Sequence, residues 1–396
     1  MGDVVTGISP PKPAMGISAP GSSSAPLRVC LLHNYREAQQ ISMKVYAEQL
    51  GRALEGRGAR VDRICPPSIV PPVLRRFWAM DKLDSYVGRF VEYPRIARTA
   101  SADVYHIVDH GQAFLINSLD PRRTVVTCHD LMLLVAATGR MGNRLQVPMA
   151  LHVFREVAAF LRQAAAVVAD SESTRRDLIE QIGVSPEKIE VIPLGLNQPF
   201  APSATLRARG RARWNLPDDA KIVLQLGHAF YKNVETCLEV VARLRARGRP
   251  VILLRARRKL SPAHVKLAKQ LGVFDSIVDL GPVGDHELPM LYNAVDALLF
   301  PSRYEGFGWP PLEAMASGTP VVCSRAGALG EFAAPAALTA DPEDVDHLAD
   351  HLISILSDPK LAASLRARGL VHAARFDWDV TATRLMALYE RVREAA

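Results

Sequence analysis

Residues 301–322, Pro301-Ser302-Arg303-Tyr304-Glu305-Gly306-Phe307-Gly308-Trp309-Pro310-Pro311-Leu312-Glu313-Ala314-Met315-Ala316-Ser317-Gly318-Thr319-Pro320-Val321-Val322, decide how this chain is read. They follow Ala297-Leu298-Leu299-Phe300, an unbroken apolar run that suits a strand buried on both faces. A glycine turn comes next. Pro310 or Pro311 then opens a helix, because proline at the first helical position gives up an N–H that has no partner there anyway. Ser317-Gly318 stops that helix, and 320–323 begin another apolar strand. A strand, a tight turn and a helix in succession aim free backbone N–H groups at whatever lies above the strand end, which suits an anion. Glu305, on the turn, can reach ligand hydroxyls, while Gly306 and Gly308 permit close backbone approach. Glu313, in the helix's first turns, can accept from a vicinal diol such as ribose. Together these predict a site for a sugar bearing phosphate. The plain alternative is a structural connection with two solvated glutamates, and a bare pair of glutamates at this spacing would not exclude it.

The same rhythm repeats outward from this stretch. In the second half, 222–226, 251–254 and 277–280 read as strands, with helices expected over about 233–247, 262–271, 286–294, 343–357 and 359–373. In the first half, strands at 27–33, 104–108, 124–128, 166–169 and 189–193 alternate with helices. The first of those helices carries Met43, Val45, Tyr46, Leu50 and Leu54 and ends at Gly58. Alternating units of this kind predict an α/β chain with two open parallel sheets, each covered on both faces. The 396 residues also exceed one comfortable core. Residues from about 199 to 219, rich in proline and charge, read as a linker between the two. Ligands then belong at the C-terminal strand ends, in the crevice between domains.

Bulk composition narrows the class. Hydrophobic residues at 48% and charged residues at 22% describe an ordinary globular chain. Cys30, Cys65, Cys128, Cys237 and Cys323 are scattered singly, which predicts reduced thiols in a cytosolic compartment and neither disulfides nor zinc. Residues 1–26 are rich in Gly, Ser, Pro and Ala and have no apolar core segment, so a disordered tail is expected there and not a signal peptide. No run approaches the roughly 18 apolar residues of a membrane span. The net charge of +7 and pI of about 9.2 suit phosphorylated ligands or an anionic membrane surface. Nucleic acid is not expected as a partner, because no motif for it and no long basic run occur. Residues 75–98 interleave Arg75, Arg76, Lys82, Arg89, Arg95 and Arg98 with Phe77, Trp78, Tyr86, Phe90 and Tyr93. That mixture can rest on an anionic membrane, and it equally describes a solvated, partly packed helical face.

The 305–316 segment closely resembles the Glu-Gly-Phe-Gly and Leu-Glu-Ala-Met-Ala signature of retaining GT-B glycosyltransferases, the large family 4 of nucleotide-sugar-dependent enzymes. Trp309 stands where leucine is usual. The resemblance implies two Rossmann-like domains facing across a cleft: an acceptor-side domain at 27–198 and a nucleotide-sugar domain at 199–375. It also implies a final helix, 376–396, crossing back to the first. Gly227-His228-Ala229-Phe230-Tyr231-Lys232-Asn233 is similar to the family's phosphate-binding segment, with Lys232 as a point charge on a diphosphate. Arginine is common where His228 stands, which leaves neutralisation to Lys232, aided by Arg255 or Arg258. Val283, in Leu280-Gly281-Pro282-Val283, would offer its backbone to the base. The implied donor contacts are Gly227, His228, Lys232, Val283, Glu305, Gly306, Phe307, Gly308, Leu312 and Glu313. His129, in Thr127-Cys128-His129-Asp130, resembles the family's His-Asp element and would face the donor sugar from across the cleft, with Asp130 as a cap. His106, His110, Gln112 and Gln40 would border the acceptor.

Other positions have quieter expectations. The first βα turn, 36–43, lacks the Gly-Gly pair common in relatives, so Gln39, Gln40 and Ser42 would make contacts by side chain. Asn197 takes a place where aspartate is common. Ser171 and Glu331 read as helix caps, as do Asp344-Val345-Asp346 and Asp377-Trp378-Asp379, and no metal or cofactor is expected. The implied function moves a sugar from a UDP- or GDP-linked donor to a hydroxyl of a glycan or lipid-linked acceptor, retaining anomeric configuration. Glu305, Lys232 and His129 would carry the reaction. Such an enzyme serves bacterial-type polysaccharide or glycolipid synthesis from the cytoplasm or the inner face of the plasma membrane. A sugar phosphorylase, a sugar-nucleotide epimerase and a non-catalytic scaffold on the same fold are the rivals. A nicotinamide enzyme is not expected, since no Gly-x-Gly-x-x-Gly follows the first strand.

Overall fold

Two six-stranded parallel sheets organise the chain. The computed structural model describes residues 25–34, 41–139, 141 and 148–396. The expected tail up to residue 24, and Gln39 and Gln40 of the first turn, lie outside the described residues. The first sheet contains β1 (Arg28–Leu32), β2 (Arg60–Ile64), β3 (Val104–Ile107), β4 (Thr124–Cys128), β5 (Ala166–Ala169) and β6 (Ile189–Val191), in the order β2-β1-β3-β4-β5-β6. The second contains β7 (Ile222–Leu226), β8 (Ile252–Ala256), β9 (Ile277–Asp279), β10 (Ala297–Phe300), β11 (Val321–Ser324) and β12 (Leu338–Ala340), in the order β12-β11-β10-β7-β8-β9.

Every residue of β4, β7 and β10 is buried, Thr124, Thr127 and Gln225 included, as in a sheet covered on both faces. Alternate side chains point to opposite faces. Val223 and Leu299 meet Leu238 and Leu348 on one side, while Leu224 and Leu298 meet Leu291 and Leu312 on the other. Strand β2, Arg-Val-Asp-Arg-Ile, has no fully buried position, a charged composition that suits an edge.

Strand order places the crevices. In the second sheet the chain runs outward from β7 to β9 and then returns to the other side of β7 as β10. Loops leaving β7 and β10 therefore diverge, and a ligand crevice opens between them. In the first sheet the corresponding reversal lies between β1 and β3.

Two segments tie the domains together. Helix Trp378–Ala395 packs on helix Ile41–Gly56 of the first domain. There Tyr389 Oη lies 2.5 Å from His106 Nδ1, and Thr381 Oγ1 donates to the Pro193 carbonyl at 2.8 Å. The hinge, 195–198, is held from both sides. Trp309 Nε1 donates to the Gly195 carbonyl at 3.0 Å and Gln198 Nε2 to the Asp285 carbonyl at 2.6 Å, both on the second domain. Gln49 Nε2 donates to the Asn197 carbonyl at 2.7 Å and Trp378 Nε1 to that of Leu196 at 2.8 Å. Trp309 thus reaches the hinge as well as the cleft.

The segment expected as a linker is ordered. Ser203 caps helix Ala204–Arg213 by accepting from Leu206 N, and the helix packs on Leu288–Ala294. Its Arg211 is buried, pairs with Asp296 at 3.0 Å and donates to the carbonyls of Pro217 and Ala220. The charge that resembled a linker's is spent on carbonyls at the end of its own helix and a strand-end carboxylate.

Candidate active site

Both loops at the β7–β10 reversal carry charge. After β7, Gly227 turns the chain with φ +92°, and Lys232 folds back so closely that a Cβ at 227 would stand 3.1 Å from Lys232 Cγ. After β10, Glu305 sits on the turn and Gly308, at φ +98°, precedes helix Trp309–Ala316. Lys232 Nζ donates to Glu305 Oε1 at 2.6 Å, both side chains largely buried, and Nζ also lies 4.7 Å from the Phe300 ring centre. Two residues that belong to separate sequence motifs, 73 positions apart, are one ion pair.

They form part of a cleft of about 610 Å³ between the domains. Glu313 forms its inner wall, almost fully buried, and accepts from Tyr292 Oη at 2.6 Å. Burial pushes its pKa up to about 7 despite the pull of Tyr292, Arg257 and the Asn197 amide. Val283, Arg257 and Asp285 also line the cleft. Arg257 adopts φ +86°, unusual for a non-glycine residue, and its Nη1 pairs with Asp285 Oδ1 at 2.6 Å. The sequence marks none of Asn197, Tyr292, Arg257 and Asp285 for the site. Asn197 stands out there only as a departure, and the others have no motif of their own.

Neighbours of the phosphate segment divide into exposed and structural. His228 Nε2 lies 2.9 Å from Arg258 Nη1. Partial burial, and after it the positive charge of Arg258, Arg255 and Lys232, holds its pKa below the ordinary histidine value. A neutral His228 accepting from Arg258 puts an arginine charge beside the loop by a different route. Arg255, expected to aid Lys232, is fully buried: it donates to Gln225 Oε1 at 2.8 Å and to the Gly227 carbonyl at 3.0 Å. It holds the turn and is not offered to the cleft.

Gly306 lines the cleft and has a second reason to be glycine. A Cβ there would stand 2.1 Å from the His129 carbonyl oxygen, so this glycine lets the two domains touch. Tyr304 crosses beside it and donates to Asp177 Oδ2 at 2.8 Å. Phe307 lines the cleft and packs in an aromatic cluster with Phe332 and Phe376, whereas Leu312 is fully buried and has no side chain to offer a ligand. Glu331 does cap a helix, but one in the other domain: its carboxylate accepts from the amides of Glu172 (2.9 Å) and Ser173 (2.6 Å).

The first domain contributes Ser42, Tyr46, His129, Asp130 and Asp170 to the cleft. Both ring nitrogens of His129 face acceptors, Nδ1 at 2.7 Å from Asp170 Oδ2 and Nε2 at 2.9 Å from the Val108 carbonyl. Burial works against its charge, but Asp170 beside it outweighs that and pushes the pKa to about 9. His129 is thus an imidazolium that donates from both nitrogens. In the sequence Asp170 stands only beside a capping turn, with nothing to tie it to His129. Burial, opposed by His129, raises the Asp170 pKa, so acid removes the pair from one side. On the other side, because the folded-state pKa of His129 stands above the reference 6.5, its contribution is in place by pH 6.5 and is lost as pH rises through about 9. The melting temperature is expected to fall across that window in the native protein and to do so less in Asp170→Asn. Parallel profiles for the two proteins would refute the assignment.

The acceptor-side residues scatter. His106 is fully buried, engaged by Tyr389 and by Thr127 Oγ1 at 2.7 Å, and burial lowers its pKa to about 3. It lies under the final helix and away from the cleft. Gln112 is buried and accepts from Arg89 Nε at 3.1 Å, while His110 lies half-buried beside Asp109. Gln40 lies outside the described residues. Asp344 and Asp377 accept from the amides of His347 and Asp379, as caps do.

Two Rossmann-like domains with a cleft built on strand-order reversals define the GT-B fold class. A structure of Anabaena HepE with UDP-glucose superposes with a TM-score of 0.70 at 17% identity, covering 92% of this chain and 100% of that one. Residues 207–370 match the family described as glycosyl transferases group 1, and residues 43–198 match glycosyltransferase family 4. The chain belongs to this glycosyltransferase family. It is 32% identical over 234 residues to the MMP α-(1→4)-mannosyltransferase of Mycolicibacterium hassiacum, covering 58% of this chain and 55% of that protein. It is 29% identical over 310 residues to the O-antigen chain mannosyltransferase B of Escherichia coli, covering 75% and 78%. The match thus spans about half the length of the first relative.

Proposed function

We propose that the protein transfers a hexosyl group from a nucleotide diphosphate sugar to a hydroxyl of a glycan or lipid-linked acceptor, with retention of configuration. The observation that carries this is the Lys232–Glu305 pair at the β7–β10 reversal, a cation and a carboxylate held at the strand ends where such folds bind phosphorylated ligands. Relatives named as mannosyltransferases and a structural neighbour holding UDP-glucose support a hexose donor.

As the anomeric C–O bond to the diphosphate breaks, negative charge grows on the leaving group and positive charge on the sugar. Lys232 and the amides of 306–309 offset the first, since Pro310 and Pro311 have no N–H to give. Glu305, released from Lys232 when the diphosphate arrives, holds sugar hydroxyls and favours the positive centre. The acceptor oxygen bonds to the anomeric carbon on the face the diphosphate leaves, and its proton passes to the departing phosphate oxygen. His129, as an imidazolium, keeps its protons and fixes the wall of the sugar site. Glu313 accepts from the ribose hydroxyls. Asp285, beside Val283, suits guanine, whose N1–H and exocyclic amine give a carboxylate two donors where uracil gives one. Cysteines scattered singly along the sequence, with no Cys-x-x-Cys pair, support a cytoplasmic site of action. Among the described residues no helix is long and apolar enough to cross a membrane.

Calorimetric titration with UDP, GDP and ADP tests the reading. One nucleotide, GDP by the Asp285 argument, is expected to bind selectively, and Glu313→Ala to weaken it about 10–100-fold. Binding of none of the three would sink the reading and favour a phosphorylase or a scaffold. Donor conversion without any acceptor would favour an epimerase.

A further inference from the structure

We propose that the face formed by residues 69–91 docks the protein on an anionic lipid bilayer. Among the described residues fourteen large apolar side chains are exposed, and nine of them fall between Ile69 and Val91. Trp78 is 76% exposed, Val73 67%, Tyr86 64% and Phe77 52%. Scattered singly, such residues need no explanation; gathered on one short stretch, they mark an interaction surface.

The backbone beneath them is firmly built. Asp84 is fully buried and accepts from Ser68 Oγ at 2.8 Å, Ile69 N at 2.6 Å and Val70 N at 2.7 Å, closing the loop onto helix Trp78–Val87. Gly88 lies so close to the chain that a Cβ would stand 2.4 Å from the Pro67 carbonyl oxygen. A rigid frame therefore presents the aromatic side chains to solvent.

Charge selects the occupant. Between residues 72 and 98 there are six lysines and arginines against three acids. Asp84 is buried 4.0 Å from Arg75, and Glu92 pairs with Arg95 at 2.8 Å, which leaves Arg76, Lys82, Arg89 and Arg98 against Asp81. Arg76 lies 5.0 Å from the Phe77 ring centre and Arg89 5.1 Å from that of Phe90, so cations and aromatics share one surface. Aromatic rings at headgroup depth with lysines and arginines among anionic headgroups are the chemistry of an interfacial helix. A second copy would bring the same positive charge to the contact and be repelled.

The location fits the proposed transfer reaction and rests on it. Arg89 Nη2 donates to the Gly111 carbonyl at 2.6 Å, and the Phe90 ring centre lies 5.1 Å from that of Phe114. The docking face is thereby joined to segment His110–Ser118, which leaves the end of β3 at the first domain's strand-order reversal. A bilayer on this face would bring a lipid-linked acceptor to that reversal, beside the Val108 carbonyl that holds His129 of the cleft.

The test is co-sedimentation of the full chain with phosphatidylcholine vesicles, with and without about one third phosphatidylglycerol. Binding is expected to the anionic vesicles only and to weaken as salt rises from about 0.1 to 0.5 M. Trp78→Ser combined with Tyr86→Ser, and separately Arg76→Glu combined with Lys82→Glu, should each weaken it at least tenfold. All four residues are exposed, so folding and nucleotide titration should stay unchanged. Equal partition to both vesicle types, or variants that bind like the native protein, would overturn the proposal, as would a native dimer that the Trp78/Tyr86 variant dissolves. Loss of vesicle binding with nucleotide binding intact bears on docking alone, and the reverse on the transferase reading alone.

Discussion

Replacing Lys232 with alanine is expected to lower turnover by about 10²–10³-fold, the range seen when one preorganised group facing a developing anion is removed. Two losses combine in this variant. The diphosphate departs without the cation beside it, and Glu305, whose side chain is 10% exposed, is left without the ammonium 2.6 Å away. Lys232→Arg should recover little, because the pocket under Gly227 and beside the Phe300 ring fits a compact point charge and not a planar fork. Steady-state kinetics with a donor and acceptor found by screening would check this. A kcat within threefold of the native value in Lys232→Ala would remove the ion pair from the mechanism.

Arg255→Met is expected to be the most damaging substitution for stability, at about 3–5 kcal/mol, the cost of breaking a buried charge constellation from one side. The guanidinium is fully buried, binds Gln225 and the Gly227 carbonyl, and lies 3.8 Å from Asp279. Methionine fills the volume but leaves the Gln225 side chain and the Gly227 carbonyl without their donor. Exposed Arg258, three residues on, should tolerate the same change within about 1 kcal/mol. Urea unfolding of both variants decides the matter, and equal midpoints would mean that Arg255 is solvated in solution.

Strong local signals make much of this molecule legible in its sequence. Strand β10 is a continuous apolar run, β7 and β8 are apolar but for Gln225 and Arg255, and the Glu305–Glu313 turn carries its own punctuation of glycine and proline. What stays hidden depends on distant parts of the chain. His106 reads as a strand-end residue open to a ligand, and only the arrival of Tyr389 from 283 positions away buries it. Glu331 announces a cap without saying whose. Gly306 is required by the His129 carbonyl of another domain, which no local pattern encodes. Edge strand β2 has no apolar run because neither of its faces is fully covered, and none of its residues is fully buried. Helix 204–213 is masked by charges that find partners only once β10's neighbour Asp296 is in place.

The seating of helix Trp378–Ala395 on the first domain has a consequence for how the protein is made. On the ribosome, the strands of the first sheet are complete once residue 191 emerges, yet the helix that covers His106 is translated about 190 residues later. At about 5–20 residues per second that is an interval of roughly 10–40 s. Through it, the Tyr46 and His106 face waits uncovered while the second domain, continuous in sequence, can close ahead of the first. The order of maturation is thus reversed relative to the order of synthesis, and the nascent chain's vulnerable surface is the N-terminal one.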